Sequence, residues 1–237
     1  MRLRVSLSPA SLAAETTGGG WPRDRRRWTG VAIDVLRATT SLTVALEHGA
    51  ARVIPCASPD EALALRSREA GVLACGEREG RTVPGFDLGT SPFEYQPTRV
   101  AGRTLAFAST NGSLAMAAIA DCGTRLLGAF VNAAALTDHL AGCRFVVLVC
   151  AGKLGRFALE DAACAGWLCA ALERRGVALE GGGARLARSL APAGAEEVRS
   201  LIQGTSHGRD LRRMGAGYAR DVEYCASLDL LQRVAAW

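Results

Sequence analysis

Aromatic residues make up only 5% of the 237-residue sequence, and histidine occurs three times. A surface that binds nucleic acid usually combines clustered basic residues with aromatic side chains on which bases stack. Here the net charge of +5 comes from scattered arginines, and the one basic cluster, residues 23–27, is expected to be a solvated loop. The sequence therefore argues against a nucleic-acid partner.

Long apolar segments are also missing. No run approaches the roughly 20 residues that a membrane-spanning helix requires. Residues 1–8 alternate between apolar and polar side chains, which predicts an edge strand and not a signal peptide. No CxxC pair is present, and the eight cysteines lie mostly in apolar segments, as small buried hydrophobic residues do. We therefore expect a cytoplasmic protein with no membrane partner.

The pattern that is present is an apolar strand followed by a polar loop and an Ala-rich helix. Strands are predicted at residues 31–33, 104–108 and 145–150, and a hydroxyl residue among residues 39–41 is expected to cap the first helix. Alternating strands and helices, with strands that are apolar throughout, favour an α/β fold with a largely parallel or mixed sheet.

The recurrence of this pattern suggests a single domain, residues 1–237, built from two similar halves of about residues 1–125 and 126–237. The Gly- and Ala-rich segment 178–197 is expected to be a mobile connector between helices. The last 40 or so residues are predicted to be helical.

Polar side chains follow the predicted strands. In open α/β sheets, ligands bind beyond the carboxyl ends of parallel strands. Asp34 and Arg37 follow the first of these strands, Ser-Thr-Asn-Gly at residues 109–112 follows the second, and residues 150–161 follow the third. This edge of the sheet therefore offers acids for a cation and bases for an anion.

These residues have more than one interpretation. Asp34 could ligate Mg²⁺ or accept a phosphoryl group, or it could satisfy N–H groups at a helix start. Arg37 could hold a phosphate bidentately, or pair with Asp34 at the surface. Glu160 and Asp161 could ligate a metal or complement a helix dipole. His207 could serve acid–base chemistry or cap a helix.

Motifs of known phosphate-binding proteins give one partial match. A Walker-type GxxxxGK[ST] pattern is absent, and Leu36 stands where haloacid dehalogenase-type phosphatases have the second acid of Asp-x-Asp. Cys150 and Arg156 have the Cys-x5-Arg spacing of cysteine phosphatases, in which a thiolate attacks phosphorus, although the flanking residues differ. A metal-independent mechanism on Cys150 therefore stays open at this point.

Five ordered blocks of the sequence resemble the motifs of the 2-phosphosulfolactate phosphatase family, and they cover essentially the whole chain from about residue 30. The resemblance implies a three-layer α/β/α fold with a duplicated core. It also implies Mg²⁺-dependent hydrolysis of (2R)-phosphosulfolactate to 3-sulfolactate and phosphate. The blocks are VAIDVLRATTSLTVAL, GEREGRTVPGFDLGTSPFEY, TLAFASTNGS, CAGKLGRFALEDAACAG and SHGRDLRRMGAGYARDVEYC.

The sequence also departs from the family motifs. Thr90 stands where asparagine is usual, Ser109 and Ser113 replace threonines, and Lys153 stands where a small polar residue is common. These changes are expected to affect the choice of anionic acid more than hydrolysis, because the carboxylates remain. The family's signatures fall on Asp34, Arg37, Glu77, Arg78, Gly85, Phe86, Asp87, Thr110, Asn111, Gly112, Gly152, Glu160, Asp161, His207 and Asp221.

The first hypothesis is therefore a Mg²⁺-dependent phosphatase acting on a small anionic phospho-acid. Its predicted catalytic residues are Asp34, Arg37 and His207. The acidic loop at residues 75–95 is expected to fold over the strand ends. Substrate and phosphate are expected to be bound by Arg37, Arg78, Thr110, Asn111, Gly112 and Lys153. Metal ligands are expected among Asp34, Glu77, Asp87, Glu160 and Asp161.

Two alternatives stay open beside it. One is the metal-independent phosphatase that uses Cys150. The other is a non-catalytic protein that binds phosphorylated or sulfonated acids, in which the same anion-binding groups would be present without turnover. The sequence also leaves open whether the chain forms a homo-oligomer.

Overall fold

The computed structural model describes residues 1–16 and 21–237. Within these ranges the chain forms two sheets with helices packed on their faces, and the α/β fold class predicted from the sequence is confirmed. The strands are β1 (Arg2–Ser6), β2 (Thr29–Ile33), β3 (Arg52–Pro55), β4 (Val72–Arg78), β5 (Arg81–Thr82), β6 (Thr104–Ala108), β7 (Thr124–Gly128), β8 (Phe145–Cys150) and β9 (Ala178–Leu179).

No helix within the described ranges is both long and apolar enough to cross a membrane. The longest helix, α7, is Ala-rich and buried along most of its length. The helices are α1 (Leu12–Thr16), α2 (Ala38–Glu47), α3 (Pro59–Arg68), α4 (Pro97–Val100), α5 (Gly112–Ala118), α6 (Ala133–Ala141), α7 (Leu159–Glu173), α8 (Gly181–Ser189), α9 (Ala195–Gly204), α10 (Ser206–Arg213) and α11 (Ala216–Cys225).

The five-stranded sheet, sheet A, is parallel throughout and has the order β7-β2-β8-β1-β9. Successive residues of its strands face opposite cores, because side chains alternate along a strand. Ala32 and Val147 belong to the core shared with α2 and α5, whereas Val31 and Leu148 belong to the core shared with α6, α7 and α8. Sheet A is therefore the middle layer of the fold.

The expected edge position of β1 is wrong. β1 lies between β8 and β9, and Leu3 and Val5 are fully buried. Its neighbour β9 has two residues, so it pairs only with Arg2 and Leu3. The alternation of residues 1–8 is a local signal, and it carries no information about partners that come more than 140 residues later in the chain.

The four-stranded sheet, sheet B, has the order β3-β6-β4-β5. Its strands are parallel except for the hairpin of β4 and β5. All of its residues come from the segment between β2 and β7, which are themselves neighbours in sheet A. The two sheets therefore do not divide the chain near residue 125.

Helix α2 begins at Ala38, so the hydroxyl residues 39–41 lie inside the helix, and the predicted cap is wrong. The Thr39 hydroxyl instead accepts the Asp34 N–H at 2.9 Å and donates to the Gly128 carbonyl at 2.7 Å. Thr39 therefore fixes the end of β2 against β7, and this fixes the backbone of Asp34.

The Gly- and Ala-rich segment 178–197 contains β9, α8 and the start of α9, and the expected mobile connector is wrong. Small residues in this segment and in α7 allow the elements to pack closely. A Cβ atom added to Gly166 of α7 would lie 2.0 Å from the Ala187 carbonyl oxygen of α8, and one added to Gly183 would lie 2.1 Å from the Val5 carbonyl oxygen. Because these two glycines have no side chain, α8 packs directly against α7 and β1.

We predict that Gly166→Ala lowers the free energy of unfolding by about 1–3 kcal/mol, because the added methyl group separates α7 from α8. Gly182→Ala is the matched control, since a Cβ at Gly182 has no heavy atom within 4 Å. The control should be neutral or slightly stabilising, because alanine favours the helix. Urea unfolding of both variants measures the difference, and equal stabilities would contradict the packing argument.

Candidate active site

A cleft of about 320 Å³ opens where the strands β2, β4, β6 and β8 end. Parallel strands present their carboxyl ends at one edge, so the loops that follow them meet there. Helix α10 closes the other side through His207 and Asp210. Of the predicted site residues, the cleft is lined by Asp34, Arg37, Glu77, Thr110, Asn111, Lys153 and His207.

Asp34 follows β2 directly and is 6% exposed. The pKa of its carboxyl group is raised to about 7, mainly by burial and also by the charges of Glu77 and Glu160, while His207 and the Ala38 N–H oppose the shift. The start of α5 packs against this carboxylate, since a Cβ at Gly112 would lie 2.9 Å from Asp34 Oδ2 and 2.5 Å from the Ala38 Cβ. The glycine therefore makes room for Asp34.

Glu77, at the end of β4, organises the wall opposite Asp34. Its carboxylate accepts the Thr110 N–H at 2.7 Å and the Gly80 N–H at 2.8 Å. These two bonds hold the turn after β6 and the β4–β5 turn against each other. Thr110 lines the cleft and also the cavity behind the β6–α5 turn, and its buried hydroxyl has no hydrogen-bond partner among the described residues.

Arg37 is buried and does not pair with Asp34 at the surface. Its guanidinium forms an ion pair with Asp221 of α11 and donates to the Gly80 carbonyl at 2.6 Å. It also stacks on the Tyr218 ring at 4.9 Å. Arg37 therefore reaches the cleft as a fixed cation whose charge is largely balanced by Asp221.

Glu160 and Asp161 open α7 and are nearly fully buried. Asp161 accepts the Val35 N–H at 2.9 Å and the Gly152 N–H at 3.0 Å, so it fastens the loop after β2 to the loop after β8. Burial raises the pKa of Asp161 well above its ordinary value, with Asp34 and Glu160 adding to the shift. Neither residue lines the cleft itself.

His207 of α10 connects Glu160 to the cleft. Its Nδ1 lies 3.0 Å from Glu160 Oε1, which leaves Nε2 as the second ring nitrogen. Two further contacts join loops across the same opening. Lys153 Nζ lies 3.0 Å from Asp210 Oδ2, and the Leu154 N–H donates to Asn111 Oδ1 at 2.8 Å.

Two predicted site residues lie elsewhere. Asp87 accepts the Ala74 N–H at 2.8 Å and contacts Arg66 at 3.4 Å, because this part of the acidic loop runs back beside β4, whereas Glu77, Gly80 and Thr90 of the same loop line the cleft. Arg78 donates to its neighbour's carbonyl and lines a separate cavity behind the β6–α5 turn. Neither Asp87 nor Arg78 lines the cleft.

Cys150 lies at the end of β8 and is fully buried. Burial raises the pKa of its thiol well above the ordinary value, so the thiolate is disfavoured. The Arg156 backbone pairs with Lys153 in a tight turn, and the Arg156 side chain is exposed. The pair therefore does not form the phosphate loop that the Cys-x5-Arg spacing suggested, and the structure argues against a Cys150 nucleophile.

Sequence reasoning left out Asp210 and did not place Asp221 or Thr90 among the site residues, although all three shape the cleft or its boundary. Asp221 lies on α11, about 180 residues after its partner Arg37, and Asp210 pairs with Lys153, 57 residues earlier in the chain. Thr90 lies in the acidic loop, lines the cleft and is 3% exposed. No local spacing could have found the ion pairs, whereas Thr90 was visible as a departure from the family motif.

The described residues contain no group of three or more His, Cys, Asp or Glu side chains arranged to hold a metal ion. Acidic side chains nevertheless outnumber basic ones around the cleft, four to two, which gives a formal charge of −2 with neutral histidine. An anionic ligand would meet this negative wall, so a cation would complement the cleft. The acids are Asp34, Glu77, Glu79 and Asp210, and the bases are Arg37 and Lys153.

We predict that Asp34 makes the metal-free protein less stable as pH rises. The unfolded chain loses this proton near pH 4, whereas the folded chain keeps it until about pH 7, so deprotonation favours unfolding between these values. In EDTA, the unfolding free energy of wild type should fall by about 2–4 kcal/mol more than that of Asp34→Asn over this window. Exposed Asp121→Asn is the control, and parallel curves for wild type and Asp34→Asn would contradict the prediction.

Comparison with known proteins places this site in a family. A family model described as 2-phosphosulpholactate phosphatase matches residues 20–237. A probable 2-phosphosulfolactate phosphatase of Carboxydothermus hydrogenoformans is 41% identical over 86% of this chain and 84% of its own length. Similarly named proteins of Thermotoga petrophila and Deinococcus radiodurans are each 37% identical, over 87% and 96% of this chain and 87% and 90% of their own. The chain therefore belongs to the 2-phosphosulfolactate phosphatase family.

Proposed function

We propose that the protein is a Mg²⁺-dependent phosphatase that hydrolyses (2R)-phosphosulfolactate to 3-sulfolactate and phosphate. Family membership supports the reaction class. One observation in the cleft carries the proposal further. Asp34 and Glu77 line one cavity together with Thr110, whose buried hydroxyl has no partner among the described residues, at the strand ends where α/β sheets bind ligands.

Mg²⁺ is usually held by one or two carboxylates, with water and phosphate oxygens completing its coordination. Asp34 and Glu77 fit this requirement, and we propose them as the metal ligands. The elevated pKa of Asp34 supports the choice, since neighbouring acids that disfavour its ionisation would be offset by a cation. When bound, Mg²⁺ would neutralise negative charge on the phosphoryl oxygens.

The other predicted metal ligands have different tasks in this proposal. Asp161 accepts two backbone N–H groups and positions the loops on both sides of Asp34. Glu160 faces His207, and Asp87 lies outside the cleft. In this proposal Asp161 and Glu160 therefore build or orient the site without binding the ion, and Asp87 takes no part in it.

Phosphate binding and proton transfer fall to the polar residues around the cleft. Thr110 Oγ1 donates to a phosphoryl oxygen, and the Lys153 ammonium adds positive charge at the opening. The Glu160 carboxylate orients His207 by accepting its Nδ1–H. Nε2 then carries the proton that the departing alkoxide requires.

We predict that phosphate release from phosphosulfolactate requires Mg²⁺ and stops in EDTA. Asp34→Asn should lower kcat by about 100-fold or more, because it removes a carboxylate that would hold Mg²⁺ beside the phosphoryl group. Asp87→Asn is the matched control and should act near the wild-type rate, since Asp87 lies away from the cleft. Release that survives EDTA and disappears in Cys150→Ala would overturn the proposal.

We further predict that the effect of His207→Gln depends on the leaving group. An alkoxide needs a proton to depart, so kcat for phosphosulfolactate should fall by about 100-fold. p-Nitrophenyl phosphate has a leaving group that departs without protonation, so its hydrolysis should change little. His139→Gln, on the exposed face of α6, is the control. An equal loss with both substrates would rule out a general-acid role for His207.

A further inference from the structure

A second cavity, of about 280 Å³, adjoins the cleft. Three residues, Arg37, Gly80 and Thr90, line both spaces and therefore form the boundary between them. Beyond this boundary, the second cavity is lined by Tyr218 and by Arg220, which stacks over an aromatic ring. A ligand in the cleft can therefore extend one of its groups towards this boundary.

The Thr90 hydroxyl is one of four buried side-chain polar atoms without a hydrogen-bond partner among the described residues. Two of the four atoms, Thr90 Oγ1 and Thr110 Oγ1, belong to residues that line the cleft. Burial of an unpartnered hydroxyl is unfavourable, so each such atom calls for an explanation, such as a ligand that satisfies it. Thr90 is also 3% exposed, which leaves its side chain facing protein or the cavities.

Neighbouring polar groups are already engaged with other partners. The Ser41 hydroxyl donates to the Thr90 carbonyl at 2.6 Å, so it serves the backbone and not the side chain. Ser91 donates to Asp221 at 2.6 Å, and Arg37 binds Asp221 and the Gly80 carbonyl. None of these groups serves Thr90 Oγ1, and a ligand group at the boundary of the two cavities would supply the missing partner.

We propose that Thr90 is a specificity-determining residue, whose hydroxyl donates a hydrogen bond to an oxygen of the substrate's acidic group that is not transferred. This group is the sulfonate or the carboxylate of the phospho-acid, held beside Arg37 at the boundary of the two cavities. The inference rests on the proposed function for the identity of the substrate. It adds which residue recognises the part of the substrate that remains after phosphate leaves.

The chemistry at each end of the cleft separates the two groups of the substrate. Thr110 lies with Glu77, whose carboxylate accepts the Thr110 N–H, and this end is assigned to the phosphoryl group. Thr90 lies at the boundary with the buried cation Arg37, and the second cavity that these two residues also line is lined by neither Glu77 nor Thr110. A hydroxyl next to a guanidinium favours an anionic acceptor, and hydrogen bonds to charged acceptors are stronger than neutral ones.

Calorimetric binding of 3-sulfolactate tests the inference without turnover, with inorganic phosphate as the second ligand and Mg²⁺ present. Thr90→Val, which keeps the shape and removes the hydroxyl, should weaken sulfolactate binding by about tenfold or more and leave phosphate binding unchanged. Thr90→Ser, which keeps the hydroxyl, should bind like wild type. Lactate, which lacks the sulfonate, identifies the group, since its binding weakens in Thr90→Val only if Thr90 holds the carboxylate.

Stability of the ligand-free variants separates recognition from a structural role. Thr90→Val should be as stable as wild type or more so, because it removes an unsatisfied buried hydroxyl. Thr137→Val is the matched control and should be less stable, since the buried Thr137 hydroxyl donates to the Ala133 carbonyl at 2.7 Å. Thr90→Ala provides a second hydroxyl-free variant if valine disturbs the fold.

Two results would overturn the inference. One is wild-type affinity for sulfolactate in both Thr90→Val and Thr90→Ala. The other is an equal loss of sulfolactate and phosphate affinity, which would place Thr90 at the phosphoryl end or in the fold. Failure of the proposed function is a separate result, since wild type would then release no phosphate while the selective effect of Thr90 on sulfolactate binding persisted.

Discussion

The site depends on one buried carboxylate, that of Asp161, which accepts backbone N–H groups from two loops at once. The loops follow β2 and β8, which are neighbours in sheet A, and they carry Asp34 and Lys153 into the cleft. Glu77 repeats the arrangement by joining the turns that contain Gly80 and Thr110. Asp161 and Glu77 therefore both hold backbone segments of the site, but of the two only Glu77 also lines the cleft, where its carboxylate can contact a bound cation as well.

Because some acids at the strand ends only hold the backbone, the number of acidic residues there exceeds the number of proposed metal ligands. Asp161 accepts two N–H groups and does not line the cleft, so backbone donors have replaced its lost hydration and its removal would leave them unsatisfied. Asp34 differs, because it lines the cleft, and its raised pKa is opposed by His207 and by the N–H of Ala38. A bound cation is therefore expected at Asp34, although Glu160 and Asp161 are more deeply buried.

The sequence was sufficient for the fold class and for the edge of the sheet at which polar residues gather, because both depend on local hydrophobic pattern and on the geometry of parallel strands. The predictions from the sequence failed where the position of a residue depends on partners that are distant in the chain. Asp87 is an acidic residue of the kind that binds metal ions, yet the segment that contains it runs beside β4 and away from the cleft. The position of β1 inside sheet A and the pairing of Arg37 with Asp221 depend on residues that no local window contains.

The interleaving of the two sheets has a consequence for the order of folding. Sheet B is formed by one continuous segment, so the loops between its paired strands are short. In sheet A, by contrast, β1 pairs with β8 and cannot form this pairing until most of the chain has been synthesised. Domains emerging from the ribosome fold from the N-terminal side. Sheet B can thus assemble while sheet A is still incomplete. Arg37 receives its counter-ion only when α11 has been synthesised, so binding competence arises as one of the last events in the maturation of the chain.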